Sequence, residues 1–156
     1  MSESYRKPRA PLILYFLLMS IFVFESCGGK KVDKDVMSSL QKYDTYLLNM
    51  NADSLAGMFA ENGELGQEGQ PSISGRGEIR NYLNSFGNEI IILSNSSESE
   101  TIDSKKDSVI QMGKYSQKIV IHADTIAVTG SFNAVWVPNS GGGYLLRKMI
   151  MKPKMQ

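Results

Sequence analysis

The chain has 156 residues, which is enough for one domain, and its hydrophobic content of 42% supports one core. From Cys27 onward it carries 14 basic and 14 acidic residues, so it lacks the excess positive charge that neutralises nucleic-acid phosphates. One cysteine and one histidine exclude an intramolecular disulfide and every metal site that needs two of either residue. We therefore predict no cofactor, no metal and no nucleic-acid partner.

The first 26 residues have the pattern of a secretory signal. Arg6, Lys7 and Arg9 precede an uncharged run over residues 10–24, and Glu25 ends that run. A helix of this length spans about 22 Å, which is short of the roughly 30 Å hydrocarbon core of a bilayer. A basic segment, an apolar segment and a small residue before a cleavage point are typical of a signal peptide.

The stretch "SCGG" at residues 26–29 resembles the lipobox of bacterial lipoproteins, although Phe24 and Glu25 stand where that motif usually has leucine and a small residue. The resemblance implies that Cys27 becomes the first mature residue, with a diacylglyceryl group on its thiol and an acyl group on its amino terminus. It also implies a cell-envelope protein attached to a bacterial membrane, with the outer membrane expected. Two alternatives stay open: an uncleaved anchor helix with a free Cys27 thiol, and a buried core helix.

Three segments after this anchor have apolar residues at helical spacing. Residues 28–34 precede them as a solvated tether, so the domains are predicted as signal peptide 1–26, lipidated tether 27–34 and a folded domain over 35–153. Asn51 is the predicted N-cap of the second helix, which is expected to close at residues 62–63, and residues 87–88 end the third. The apolar faces comprise Val36, Leu40, Tyr43 and Leu47, then Leu55, Met58 and Phe59, then Ile79, Tyr82, Leu83 and Phe86.

The period changes to two after Glu89, which predicts strands. Two brief extended pieces, "ELGQEG" and "PSISG", lie before the third helix. Long strands are predicted from residue 89 and over residues 108–122, 125–138 and 144–153, joined by hairpin turns. The predicted fold class is α+β, with three N-terminal helices packed on one face of a strongly curved antiparallel sheet of two short and four long strands.

Residues 34–153 resemble the SnoaL-like, nuclear transport factor 2-like superfamily. The likeness rests on "NADSLAGMFAENGEL", "SGRGEIRNYL" and "GSFNAVWVPNSGGGYLLRKMIM", in that order and spacing. It implies a cone, in which a bent sheet wraps around helices and leaves an apolar pocket at one end. The superfamily includes isomerases, dehydratases, epoxide hydrolases and proteins that only bind or scaffold, so the fold does not choose among these functions.

The resemblance also implies where a catalytic carboxylate would stand: on the first strand, eight residues past the aromatic residue of the second helix. From Phe59 this position is Gln67, and a glutamine cannot act as a proton acceptor at neutral pH. Glu68 is next, but strand alternation directs it to the opposite face. The lone His122 shares its parity with the polar face of its strand. Glu68 and His122 are thus catalytic candidates whose alternative reading is a solvated side chain.

Candidate binding residues are those expected to face the inside of the cone. Arg147 lies in an otherwise apolar row of the last strand, where it either clamps an anionic ligand or extends to water. The remaining candidates either line a pocket or simply fill the cone: Tyr46, Phe59, Gln67, Tyr82, Tyr115 and Trp136.

Three functions follow as hypotheses. The first is a lipid-anchored domain that binds a small apolar molecule or a protein partner, with no assignable catalysis. The second is an isomerase, dehydratase or hydrolase that acts on a small hydrophobic substrate through Glu68, His122 or Arg147. The third is a homodimer that forms through the sheet.

Overall fold

A computed structural model describes residues 27–87 and 89–154 of the chain. The predicted signal peptide, residues 1–26, lies outside the described residues, and so does Asn88 at the predicted end of the third helix. Within the described ranges no helix is long and apolar enough to cross a bilayer.

The three predicted helices are present in the described part of the chain: α1 over Cys27–Leu48, α2 over Ala52–Gly57 and α3 over Arg76–Ser85. Helix α1 begins at Cys27, so the residues predicted to form a tether are its first two turns. The N-cap of α2 is confirmed, because the Asn51 side-chain oxygen accepts a hydrogen bond of 3.0 Å from the Ser54 backbone N–H.

The described part of the chain contains six strands. They are β1 over Phe59–Gln67, β2 over Ile73–Ser74, β3 over Ile90–Ser104, β4 over Val109–Ile121, β5 over Asp124–Pro138 and β6 over Tyr144–Pro153. They form one sheet in the order β2-β1-β6-β5-β4-β3, and the four long strands are joined by successive hairpins. Register shifts in β1, β3 and β6 mark bulges, which bend the strands and curve the sheet around the helices.

The α+β fold class is confirmed, but the prediction of a purely antiparallel sheet is wrong. Strand β1 pairs with β6 in parallel, from the Phe59 position opposite Leu146 to Gln67 opposite Met151. Because a helix and three long strands separate these two strands, no hairpin constrains their relative direction. The sheet is therefore mixed.

The predicted length of the second helix is also wrong. The helix ends at Gly57 and Phe59 begins β1, where a helix to residue 63 had been expected. The Met58 carbonyl, which would continue the helix, instead accepts a hydrogen bond of 2.8 Å from the Leu146 backbone N–H of β6. Met58 and Phe59 are buried in the same core as Leu55, so sheet pairing replaces the helix without exposing the apolar side.

The core lies between α1, the two short helices and the inner face of β4, β5 and β6. The predicted face of α1 is confirmed at Val36, Leu40 and Tyr43, which are all buried. Trp136 of β5 is fully buried, and its indole N–H donates a 2.8 Å hydrogen bond to the side-chain oxygen of Gln111 on β4. This packing occupies one end of the sheet and leaves the other end for the site.

Candidate functional site

A cavity of about 680 Å³ opens beside the core, between the C-terminal halves of α1 and α3 and the inner face of the sheet. Most of its wall is apolar. That part of the wall includes Leu47, Leu55, Leu65, Ile119, Val128 and Met151. The volume lies inside the range of roughly 300–1,000 Å³ that is usual for small-molecule sites.

Strand alternation decides which side chains face this cavity. Tyr115, Gln117 and Ile119 follow one another at every second position on β4, and all three line it. Val128 lies opposite Gln117 on β5. The intervening Ser116 and Lys118 are exposed on the other face of the sheet.

The position of Tyr115 depends on a glycine across the sheet. Gly130 lies opposite Tyr115 in the β4–β5 register. A Cβ atom added at Gly130 would stand 2.7 Å from Tyr115 Cε1 and 2.8 Å from its hydroxyl oxygen, so the tyrosine ring covers the glycine. Glycine is thus required for the tyrosine to lie flat against β5 and contribute to the wall.

The polar part of the cavity wall consists of amides and phenols: Gln67, Gln70, Gln117, Tyr43, Tyr82 and Tyr115. No aspartate, glutamate or histidine is among the described residues that line it. Also within the described ranges, no group of three or more carboxylate, imidazole or thiol side chains is arranged to hold a metal ion. The wall therefore offers hydrogen bonds without a formal charge.

Burial changes the pKa of two of the phenols. Burial, helped by the neighbouring Asp44 carboxylate, raises the pKa of Tyr43 far above its usual range. Burial also raises the pKa of Tyr115. These shifts move the ionisation of both hydroxyls further above the physiological pH range, in which a tyrosine is protonated in any case.

A chain of side-chain hydrogen bonds connects α1 to the cavity wall. The Asp44 carboxylate accepts hydrogen bonds from the Asn95 amide (2.8 Å), the Ser97 hydroxyl (2.7 Å) and the Ser97 backbone N–H (3.0 Å). Asn95 in turn accepts a 2.8 Å bond from the Gln117 amide. The chain fixes α1 on β3 and holds Gln117 at the wall.

Three of the predicted binding residues line the cavity: Gln67, Tyr82 and Tyr115. Tyr46 packs against the core outside the lining. Phe59 and Trp136 are fully buried in the core, and of the two Phe59 supports the wall from behind. Phe59 does so through an edge-to-face contact with the Tyr43 ring, at 6.4 Å between centroids.

Arg147 does not lie in an apolar row, which corrects the prediction from alternation. Val135 pairs with Lys148 and Trp136 with Leu146, so Arg147 is the extra residue of a bulge in β6. The bulge breaks alternation between the buried Leu146 and Met149 and leaves Arg147 exposed.

Neither catalytic candidate reaches the cavity. Glu68 follows the last residue of β1 on the side opposite Gln67, and its exposed carboxylate lies 2.6 Å from the Lys152 ammonium. His122 is exposed in a two-residue turn with Ala123, and both residues have positive φ. The turn was predicted one residue later, so His122 is part of the turn itself.

Sequence reasoning missed Tyr43 and Gln117 as site residues, although both carried a usable signal. Gln117 has the same parity as Tyr115 and Ile119, so strand alternation places it on the same side. Tyr43 belongs to the predicted apolar face of α1. The bond between Asp44 and Asn95 has no sequence signal, because it joins residues 51 positions apart.

In comparisons of sequence, no protein-family model and no curated protein matches the chain. Comparison of structures finds similar folds at low identity. A ketosteroid isomerase-like protein from Erwinia carotovora is 10% identical, with a TM-score of 0.68 over 77% of this chain and 94% of that one. ActVI-ORFA from Streptomyces coelicolor is 17% identical, with a TM-score of 0.68 over 80% and 98%.

A nuclear transport factor 2-like protein with a cystatin-like fold from Novosphingobium aromaticivorans is 9% identical, with a TM-score of 0.64 over 94% of this chain and 92% of that one. The TM-scores establish a shared fold, and at such low identities nothing follows about shared chemistry. The predicted cone is confirmed at that level: the chain has the nuclear transport factor 2-like fold.

Because the pKa of Tyr43 is raised in the folded chain, the free energy of unfolding falls as the pH becomes alkaline. Above about pH 10 this tyrosine ionises in the unfolded chain but stays protonated in the folded chain, so its contribution is complete below pH 10 and is lost as the pH rises. We expect Tyr43→Phe to remove up to about 1.4 kcal/mol per pH unit of that fall. Urea unfolding at about pH 9 and about pH 11 measures it.

The matched control is Tyr82→Phe, because the Tyr82 side chain is 42% exposed. It should retain the wild-type fall in unfolding free energy. An equal fall in wild type and Tyr43→Phe would contradict the assigned burial of the Tyr43 hydroxyl.

Proposed function

We propose that the protein binds a small, mostly apolar molecule in the cavity of its cone and does so at a bacterial membrane, held there by lipid on Cys27. The observation that carries the binding proposal is the cavity wall. It encloses about 680 Å³ and is lined mainly by apolar side chains, among them leucine, isoleucine, valine and methionine. Its polar groups are amides and phenols, which suit a neutral ligand that makes a few hydrogen bonds.

Catalysis by proton abstraction has little support from the same wall. Such a reaction needs an acceptor within about 3 Å of the substrate proton. The two titratable candidates from the sequence, Glu68 and His122, are exposed and lie outside the lining. A tethered binding domain accounts for the wall without an acceptor.

The second candidate function is an enzyme of the isomerase, dehydratase or hydrolase kind. Tyr43 and Tyr115 favour it, because protonated phenols in an apolar cavity can stabilise a developing oxyanion. One relative in structure is described as ketosteroid isomerase-like. Under this alternative, either a group of the substrate itself accepts the proton, or the reaction proceeds without proton abstraction.

The membrane anchor is proposed from the residues around Cys27. A basic segment, an uncharged run and a small residue before the cysteine support cleavage and acylation at this position. One acyl chain binds a bilayer only marginally, whereas two or more anchor a protein firmly. The cone would then follow the acylated residue directly, because α1 begins there.

Homodimerisation through the sheet remains a prediction. Apolar side chains such as Ile91 and Met112 are about half exposed on β3 and β4, at 53% and 46%. Exposed apolar side chains of this kind occur at interfaces and also singly on ordinary surfaces.

The binding proposal predicts that filling the cavity abolishes ligand binding. Ile119 lines the cavity, whereas the next residue, Val120, lies on the other face of β4. A hydrophobic metabolite at a hundredfold excess over its Kd should add about 2.7 kcal/mol of stability to the wild type. Ile119→Trp should lose this gain, and Val120→Trp should keep it.

Thermal unfolding followed by circular dichroism, with a panel of hydrophobic metabolites, measures these gains. If no compound of the panel stabilises the wild type, the proposal is contradicted. A compound that stabilises the Ile119→Trp variant as much as the wild type would also contradict it, because that compound would bind elsewhere.

The anchor proposal predicts that Cys27→Ala stays unprocessed. Without the thiol no diacylglyceryl group is attached, and cleavage before residue 27 should not follow. Mass spectrometry of the membrane fraction should find the acylated mature chain for the wild type and an unacylated precursor for the variant. A variant that matures to the same polypeptide, cleaved before residue 27, would exclude lipidation at this cysteine.

A further inference from the structure

We propose that the cavity selects ligands that carry a hydrogen-bond donor, a hydroxyl or an N–H group, and that Gln117 recognises this donor through its side-chain carbonyl oxygen. This inference rests on the proposed binding function and names the chemical class of the ligand. It follows from the direction of the hydrogen bonds that join α1 to the wall, because that direction decides which end of the Gln117 amide remains for the ligand.

The direction is set at Asp44. An ionised carboxylate can only accept hydrogen bonds, and the Asp44 carboxylate accepts three. The Asn95 amide must therefore present its NH₂ group to Asp44, since the opposite orientation would place an amide oxygen against a carboxylate oxygen. The adjacent Ser97 backbone N–H is fixed in β3 and keeps the carboxylate in place.

The same direction passes on to Gln117. With its NH₂ group engaged by Asp44, Asn95 has its oxygen left, and this oxygen accepts the 2.8 Å bond from the Gln117 Nε2 atom. Gln117 therefore uses an N–H at Asn95. Its carbonyl oxygen is on the other arm of the amide and is available to the cavity that Gln117 lines.

The surroundings of Gln117 make this oxygen selective. Its neighbours in the wall include Tyr115 and Ile119 on the same strand and Val128 on the facing strand. A ligand that fills the space beside Ile119 and Val128 removes water from the Gln117 oxygen. A carbonyl that loses water without gaining a donor carries a free-energy penalty, so a ligand with a donor binds more tightly.

The other polar groups in the wall discriminate less. The hydroxyls of Tyr43 and Tyr115 both donate and accept, so each satisfies a ligand donor or a ligand acceptor. Gln67 and Gln70 are exposed, so water can replace a missing ligand bond there. Gln117 is the polar lining residue whose orientation is fixed by a charged group.

The test compares two probes of nearly equal shape, 2-naphthol and its methyl ether. Isothermal titration calorimetry uses the full chain in lipid nanodiscs, with empty nanodiscs as the blank. One neutral hydrogen bond predicts that the wild type binds 2-naphthol about two- to tenfold more tightly than the ether. Gln117→Met should bring this ratio to about one.

Asp44→Asn tests the origin of the orientation. An asparagine at position 44 can present either end of its amide, so the chain through Asn95 can reverse. The probe ratio should then fall toward one even though residue 44 is not among the lining residues. The control Gln41→Met changes an exposed glutamine of α1 and should retain the wild-type ratio.

The outcomes separate this inference from the function on which it rests. If both probes bind the wild type equally, or if the ether binds more tightly, donor selection is wrong and the binding function stands. A preference for 2-naphthol that survives Gln117→Met also overturns the inference. If neither probe binds, the proposed function is contradicted together with the inference.

Discussion

The inner face of β5 carries one apolar row, and the helices cover only part of it. Trp136, Ala134 and Phe132 lie under the helices and are buried. Val128 has the same parity but faces the cavity, and Ile126 is 43% exposed. A single pattern of alternation thus supplies a sealed core at one end of the strand and the wall of the cavity at the other. The cavity exists because the bent sheet extends past the helices.

The bonds at Asp44 serve the fold and the site together. They attach α1 to β3, which is the helix–sheet contact that closes one side of the cone. They also determine how Gln117 is presented to the cavity. Since the carboxylate lies outside the cavity lining, it orients a neutral amide without placing a charge in the cavity wall. This arrangement is compatible with the apolar lining, because an unpaired charge in such a wall would be costly.

Periodicity in the sequence was sufficient for most of the secondary structure and insufficient for three features that depend on tertiary pairing. The faces of α1 and α3 and the four long strands follow from apolar spacing alone. The early end of α2, the parallel pairing of β1 with β6 and the bulge at Arg147 all depend on which strand lies alongside which. Arg147 is the residue that the bulge inserts, so the choice left open between an inward and a water-facing side chain depended on a feature that no single-strand pattern contains.

The candidate site was predictable to a similar degree. Tyr82, Tyr115 and Gln67 were expected near a pocket and line it. Phe59 and Trp136 were expected there too, but both are fully buried, because large aromatic residues fill a core as readily as they line a pocket. The orientation of Gln117 could not be predicted from the sequence, since the hydrogen bonds that fix it join three separate elements, α1, β3 and β4.

The central proposal is that the cavity at the open end of the cone, whose described lining carries no charged side chain, binds a small molecule. The most direct measurement is a crystal structure of the protein purified from the cells that naturally produce it, at a resolution that distinguishes water from an organic molecule. The account predicts continuous density for one organic molecule that packs on Leu65 and Val128 and places a donor at the Gln117 oxygen. A cavity filled by separate ordered waters, or closed by its own side chains, would contradict it.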